Sequence, residues 1–215
     1  MKILITAGPT REAIDPVRYI SNRSSGKMGY ATAAAAANAG HEVTIVSGPV
    51  SLRPPENVSV VHVESAQQMF DSVAHRIGAV DVAIMTAAVA DYRPVTVATE
   101  KMKKSGDTMT LTLEKTQDIL GSARNLFGFR GMLVGFAAET TDVESYAREK
   151  LKRKGCDMII ANDVSRPGIG FDADQNAVTI FFADGRTQEI GLTSKLAIGI
   201  EIIRIVEKEA STSLF

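Results

Sequence analysis

The sequence predicts a three-layer α/β fold in which a mostly parallel sheet lies between helices, with a flap or hairpin protruding from it and an antiparallel hairpin near the C-terminus. Three observations carry this. Strand-like and helix-like segments alternate along the chain; the strand-like segments are continuous apolar runs, as in strands buried on both faces; and the loops after them are rich in small and polar residues.

Lys2–Ala7 reads as the first strand, and Gly8-Pro9-Thr10-Arg11-Glu12 follows beyond its carboxyl end, where ligands sit in open α/β sheets. Lys27 to Ala39 is a helix stopped by Gly40. Just before it, Asn22-Arg23-Ser24-Ser25-Gly26-Lys27 packs small side chains and backbone amides ahead of an alanine run, the outline of an anion site at a helix N-terminus. Ser24 or Ser25 would cap the helix, Gly26 would let a ligand approach the backbone, and Asn22 would be left to bond something else. Ser-Ser-Gly as a plain cap is the competing reading, weakened by the strand and loop upstream.

Glu42–Ser47 is a strand, residues 48–55 a loop, and Val58–Val63 a third strand. Ser65 opens a helix to about Ile77, with Met69, Phe70, Val73 and Ile77 on one side. Asp81–Thr86 is a strand that ends in Ala87-Ala88-Val89-Ala90-Asp91, small residues against which a ligand can lie, with Asp91 and Arg93 adding opposite charges. Thr99 to Asp107, which includes Lys101, Lys103 and Lys104, is either a solvated face or a mobile flap that presents a cation to phosphates; Thr108–Leu113 after it alternates as a strand does.

A helix is expected from Thr116-Gln117-Asp118-Ile119 to about Phe127, then a strand at Met132–Phe136. Phe136 either stacks on a base or belongs to the core. In the helix Val143–Lys154, Lys150 and Lys154 lie four apart on one face, near a C-terminus that favours cations in any case. Met158–Ala161 is a strand closed by Asn162-Asp163. Ala177–Phe182 and Arg186–Ile190 flank the turn Ala183-Asp184-Gly185, Thr193 caps the last helix to about Glu209, and residues 211–215 form a loose tail.

With 45% hydrophobic residues the chain can bury a full core and reads as one domain over 1–210. The balance of 24 basic against 25 acidic residues points to no nucleic-acid partner. The single cysteine, Cys156, allows no internal disulfide and fits a reducing compartment. No apolar run has the length of a membrane span and the apolar start is too short for a signal peptide, so no membrane partner and a cytoplasmic location are expected. His41, His62 and His75 are scattered, so no protein-ligated metal site is expected. The N-terminal portion is Rossmann-like, but Pro9 and Arg11 stand where a dinucleotide fingerprint needs glycine.

Several ordered strings go further. Ile5-Thr6-Ala7-Gly8-Pro9-Thr10-Arg11-Glu12, Asp15-Pro16-Val17-Arg18 and Ile20 to Gly29 closely resemble phosphopantothenate–cysteine ligases, as do Ala87 to Pro94, Lys101 to Lys104, Gly135 to Thr140 and Ala161-Asn162-Asp163. The resemblance covers essentially the whole chain. It implies a ligase of coenzyme A biosynthesis that joins 4′-phosphopantothenate to L-cysteine through an acyl-cytidylate made from CTP, with Mg2+ entering on the triphosphate.

By the same resemblance Asn22 and Lys101 are catalytic, Lys101 being a flap lysine needed for activation. Arg18, Asn22, Ala87, Ala88 and Asp91 would hold the substrate, with Arg18 reaching a neighbouring subunit's site in a homodimer. Gly8, Ser24, Gly26, Gly29, Asp91 and Lys101 would meet the nucleotide, as would Thr116, Gln117, Asp118, Ile119, Phe136, Lys150, Lys154 and Asn162. Family members are often fused behind a flavin-dependent decarboxylase, so the chain is either free-standing or one part of a longer protein, and side chains alone do not separate CTP from ATP. Two other readings stand beside this one. Tyr146-Ala147-Arg148-Glu149-Lys150 fits the Tyr-x-x-x-Lys pair of NAD(P)-dependent short-chain reductases, and a nucleotide-binding domain without catalysis is the third.

Overall fold

The computed structural model describes residues 1–103, 106–139, 141–163 and 173–212. The expectations for Lys104, Ser105, Thr140 and residues 213–215 lie outside the described residues.

An eight-stranded sheet forms the middle layer. Its first part contains β1 (Lys2–Ala7), β4 (Glu42–Ser47), β5 (Val58–His62) and β6 (Val82–Met85). Its second part contains β9 (Met132–Glu139), β10 (Met158–Asp163), β11 (Gln175–Phe182) and β12 (Thr187–Ser194). The spatial order is β12-β11-β10-β9-β6-β1-β4-β5. From β5 to β10 all neighbours are parallel, and β10–β11 and β11–β12 are antiparallel. The three-layer, mostly parallel fold and its antiparallel C-terminal hairpin are as predicted.

Pleating sends alternate side chains to opposite faces. Ile3 and Ile5 pack with Ile45, Ile84 and Ile160 on the face covered by α1 (Lys27–Asn38) and α5 (Lys195–Thr212). Leu4, Val46, Ala83 and Leu133 point to the other face. There α2 (Ala66–Arg76) contributes Met69, Phe70 and Val73, α3 (Ile119–Asn125) Ile119 and Ala123, and α4 (Val143–Lys154) Ala147 and Leu151. A strand with both faces covered is apolar at most positions, hence the largely apolar runs, with Thr6 and Ser47 as buried polar exceptions. Cys156 is buried in this second core, and desolvation pushes its thiol up to about 12, as burial of a thiolate should.

Two small hairpins stand apart from the main sheet: β2 (Arg11–Ala13) with β3 (Tyr19–Ser21), and β7 (Tyr92–Pro94) with β8 (Leu113–Lys115). The second is the expected protrusion, but its returning strand is Leu113–Lys115 and not Thr108–Leu113. Alternation marks a strand only where one face is buried, and Met109 is 53% exposed. The β2–β3 pair went unpredicted, as three-residue strands give no readable period; Arg11 stacking over the Tyr19 ring helps hold it.

Helix starts also differ. α3 begins at Ile119, capped by Asp118 accepting from the Gly121 N–H at 2.9 Å, which leaves Thr116 and Gln117 in the loop. Thr193 remains in β12, and Ser194 instead accepts from the Ala197 N–H at 3.1 Å. α5 runs on through Thr212, two residues into the expected tail.

Candidate functional site

The chain moves from β1 outward to β4 and β5, then returns to the other side of β1 for β6, β9 and β10. Such a reversal opens a crevice at the carboxyl ends of the two strands that part there. A cavity of about 900 Å³ occupies that position, with Thr6 of β1, Met85 of β6, Phe136 and Ala137 of β9 and Asn162 of β10 on its walls.

The first turn of α1 forms one wall through Gly26, Lys27, Met28 and Gly29. Amides of a helix's first turn have no acceptor within the helix and carry its partial positive charge, so this wall suits an anion. The cap is Gly26 itself, with φ +75°, and not Ser24 or Ser25. A side chain at Gly26 would be strained by that φ and would place its Cβ 2.7 Å from Val50 Cγ1. Ser24 instead accepts from the Gly26 N–H at 3.4 Å and lines the cavity together with Ser25. Gly29 brings the helix against the strands: a Cβ there would lie 2.4 Å from Thr86 Oγ1.

Ala87 and Ala88 line the cavity from a loop stitched to the first turn of the chain. The Ala87 N–H donates to Thr6 Oγ1 at 3.2 Å, the Ala88 N–H to the Gly8 carbonyl at 2.9 Å, and the Ala90 N–H to Thr10 Oγ1 at 3.0 Å. Asn22 holds the same loop from outside, its amide donating to the carbonyls of Ala88 at 3.1 Å and Val89 at 3.0 Å. Thr116 joins from the far side, donating through Oγ1 to the Ala90 carbonyl at 2.6 Å and through its N–H to the Asp91 carbonyl at 3.0 Å. Asp91 and Gln117 are exposed at the cavity's edge.

The remaining wall is cationic. Lys150 donates to the Phe136 carbonyl at 2.7 Å, and Lys154 is ion-paired with Asp118. Partial burial would raise the Asp118 carboxyl, but the Lys154 ammonium, the Gly121 N–H and the Arg153 charge together hold it below its ordinary value. Lys27, Lys115, Lys150, Arg153, Lys154 and Lys195 on the walls outnumber Asp91, Asp118 and Glu149, in a chain whose net charge is −1. Positive charge gathered in a crevice of a near-neutral protein concentrates anions there. The Asn162 side-chain oxygen is buried with no hydrogen-bond partner among the described residues, an acceptor suited to a ligand donor.

Of the residues expected to meet nucleotide or substrate, the cavity brings together Ser24, Gly26, Gly29, Ala87, Ala88, Asp91, Thr116 to Ile119, Phe136, Lys150, Lys154 and Asn162. Four stand off its wall. Gly8 is buried behind Gly26, Asn22 bonds the carbonyls of the Ala88 loop, Lys101 is exposed, and Arg18 pairs with Asp15 of its own chain at 2.5 Å. Missed from sequence were the wall cations Lys115 and Arg153 and, both buried and both on the wall, Lys195 and Asn176. Lys195 and Asn176 each lie at the start of a C-terminal element, where no periodic pattern marks them. Among the described residues no group of three or more His, Cys, Asp or Glu is placed to hold a metal ion, and no helix is long and apolar enough to cross a membrane.

A doubly wound sheet with a cation-lined crevice at its switch point defines, as a class, a Rossmann-like α/β protein whose crevice suits an anionic ligand. The chain belongs to the family described as DNA/pantothenate metabolism flavoprotein C-terminal domain, matched over residues 1–210. It is 53% identical over 207 residues to the coenzyme A biosynthesis bifunctional protein CoaBC of Vibrio vulnificus, covering 95% of this chain and 51% of the relative. It is 51% identical over 206 residues to CoaBC of Bacillus subtilis, covering 94% and 50%. The chain thus spans about half the length of these curated relatives. The crystal structure of the C-terminal domain of a CoaBC protein superposes with a TM-score of 0.84 at 46% identity, covering 98% of this chain and 96% of that one.

Proposed function

We propose that this chain is a phosphopantothenate–cysteine ligase of coenzyme A biosynthesis. The substrate carboxylate attacks the α-phosphate of CTP, releasing pyrophosphate and leaving an acyl-cytidylate; the cysteine amine then attacks the acyl carbon, forming the amide and expelling CMP. A carboxylate is a poor acyl donor until one of its oxygens belongs to a phosphate leaving group. The observation that carries the reading is the cation-lined cavity closed by the first turn of α1, which suits a triphosphate.

In this reading the α1 amides, Ser24 and the wall lysines receive the phosphates, and Phe136 and Asn162 meet the base or ribose. Ala87 and Ala88 give the acyl group a close backbone, fixed by Asn22. Magnesium would enter on the phosphate oxygens of the nucleotide, and Asp91 at the cavity edge is left to meet substrate or nucleotide, since Asp118 is committed to Lys154. The exposed apolar residues Val17, Tyr19, Val95 and Val97 lie on or beside the two projecting hairpins, which pack together through β2 and β7 and favour a homodimer formed there. A flavin-dependent decarboxylase half and a cytoplasmic location go with the same reading.

The reductase alternative has little left to rest on. Tyr146 and Lys150 do share the cavity, but the glycine fingerprint that would hold a dinucleotide is missing. A pyrophosphate-release assay tests the proposal against both alternatives. Release is expected with CTP, magnesium and phosphopantothenate before cysteine is added, and more weakly with ATP. No release with either nucleotide would overturn it.

A further inference from the structure

Outside the cavity, one buried carboxylate ties together two segments that the proposed reaction needs. Asp15 is 3% exposed. Its Oδ1 accepts from the backbone N–H groups of Val17 and Arg18, each at 2.9 Å. Its Oδ2 accepts from Arg18 Nε at 3.0 Å, from Arg18 Nη2 at 2.5 Å and from the Met102 N–H at 3.1 Å. Arg18 Nη2 also donates to the Met102 carbonyl at 3.1 Å. The Asp15–Arg18 pair therefore grips Met102 by both of its backbone groups, one residue from Lys101. A second mooring lies just upstream, where the Ala98 N–H donates to the Ile14 carbonyl at 3.0 Å.

We propose that Asp15 is a positioning residue that sets where Lys101 stands and how Arg18 presents its guanidinium, so that the anion-binding arginine and the flap lysine act as one unit. The Asp15 side chain is fully buried while that of Arg18 is 40% exposed. An anionic group of the substrate can thus reach the guanidinium from solvent while Asp15 holds it from beneath. The carboxyl itself stays ionised at every assay pH: the Arg18 guanidinium holds it far below the ordinary carboxylate range, against the opposing effect of burial. Charge-assisted bonds of this kind are the stronger class, and a buried carboxylate with its acceptor sites filled resists rearrangement.

The role assigned to Lys101 and that of Arg18 as an anion contact rest on the ligase reading; the grip on Met102 does not. The test pairs two variants, Asp15→Asn and Asp15→Glu, with two readouts. Hydrogen exchange at the Met102 amide is expected to quicken about tenfold or more in Asp15→Asn while amides of β1 keep their protection. In the same variant pyrophosphate release should fall about tenfold or more and KM for phosphopantothenate rise, with the thermal shift produced by CTP and magnesium retained. Asp15→Glu keeps the charge beside Arg18 and is expected to restore part of both. Unchanged exchange at Met102 in both variants overturns the proposal, as does exchange that rises equally in β1, the mark of general destabilisation. If the wild-type protein releases no pyrophosphate, the ligase reading has failed and the exchange measurement still decides whether Asp15 moors the segment.

Discussion

Asn22→Asp is expected to go on consuming CTP while amide formation falls by about 10²-fold or more, so that acyl-cytidylate accumulates. The Asn22 amide donates to two successive carbonyls, Ala88 and Val89, in the loop proposed to lie along the acyl group. A carboxylate donates to neither and sets its negative charge against both, so the loop withdraws from the position it holds now. Activation depends on phosphate contacts across the cavity and is spared; attack by the amine on a correctly held acyl carbon is not. Quenched-flow chromatography of the nucleotide products checks this, and amide product at the wild-type rate would mean that Asn22 has been misassigned.

Lys101→Gln should lose the other half-reaction. Pyrophosphate release is expected to drop by about 10²- to 10³-fold, while CTP with magnesium still raises the melting temperature, because the contacts that hold the ground-state triphosphate belong to α1 and the wall lysines. Lys101 is exposed and does not line the cavity, so acting on the phosphates requires it to approach them. A cation that arrives only for the reaction stabilises developing charge without adding to ground-state binding. Normal pyrophosphate release from the variant would remove Lys101 from the chemistry.

The parts of the fold that were readable are those where a single physical demand fixes many residues at once. A strand covered on both faces is mostly apolar, so Ile3-Leu4-Ile5 of β1, Ile45-Val46 of β4 and the whole of β6 stand out. Ser65 and Gln68 form a capping box, and Ser65 marked the start of α2 in advance. The projecting hairpins were harder because each strand is only three residues long and pairs outside the main sheet. The cap of α1 shows the limit of reading residue preference alone: Ser24 and Ser25 are good caps, but the backbone turns at Gly26 with a positive φ that serine rarely adopts. Lys195 and Asn176 escaped notice because nothing local marks a polar residue as buried; only the closing of the sheet brings them to the cavity.

The central claim is that the first turn of α1 receives the phosphates, and a crystal structure of the protein with CTP and magnesium tests it most directly. The triphosphate is expected against the backbone amides between Ser24 and Gly29, with the base toward Phe136 and Asn162. A nucleotide bound elsewhere, with that turn facing only solvent, would contradict the account.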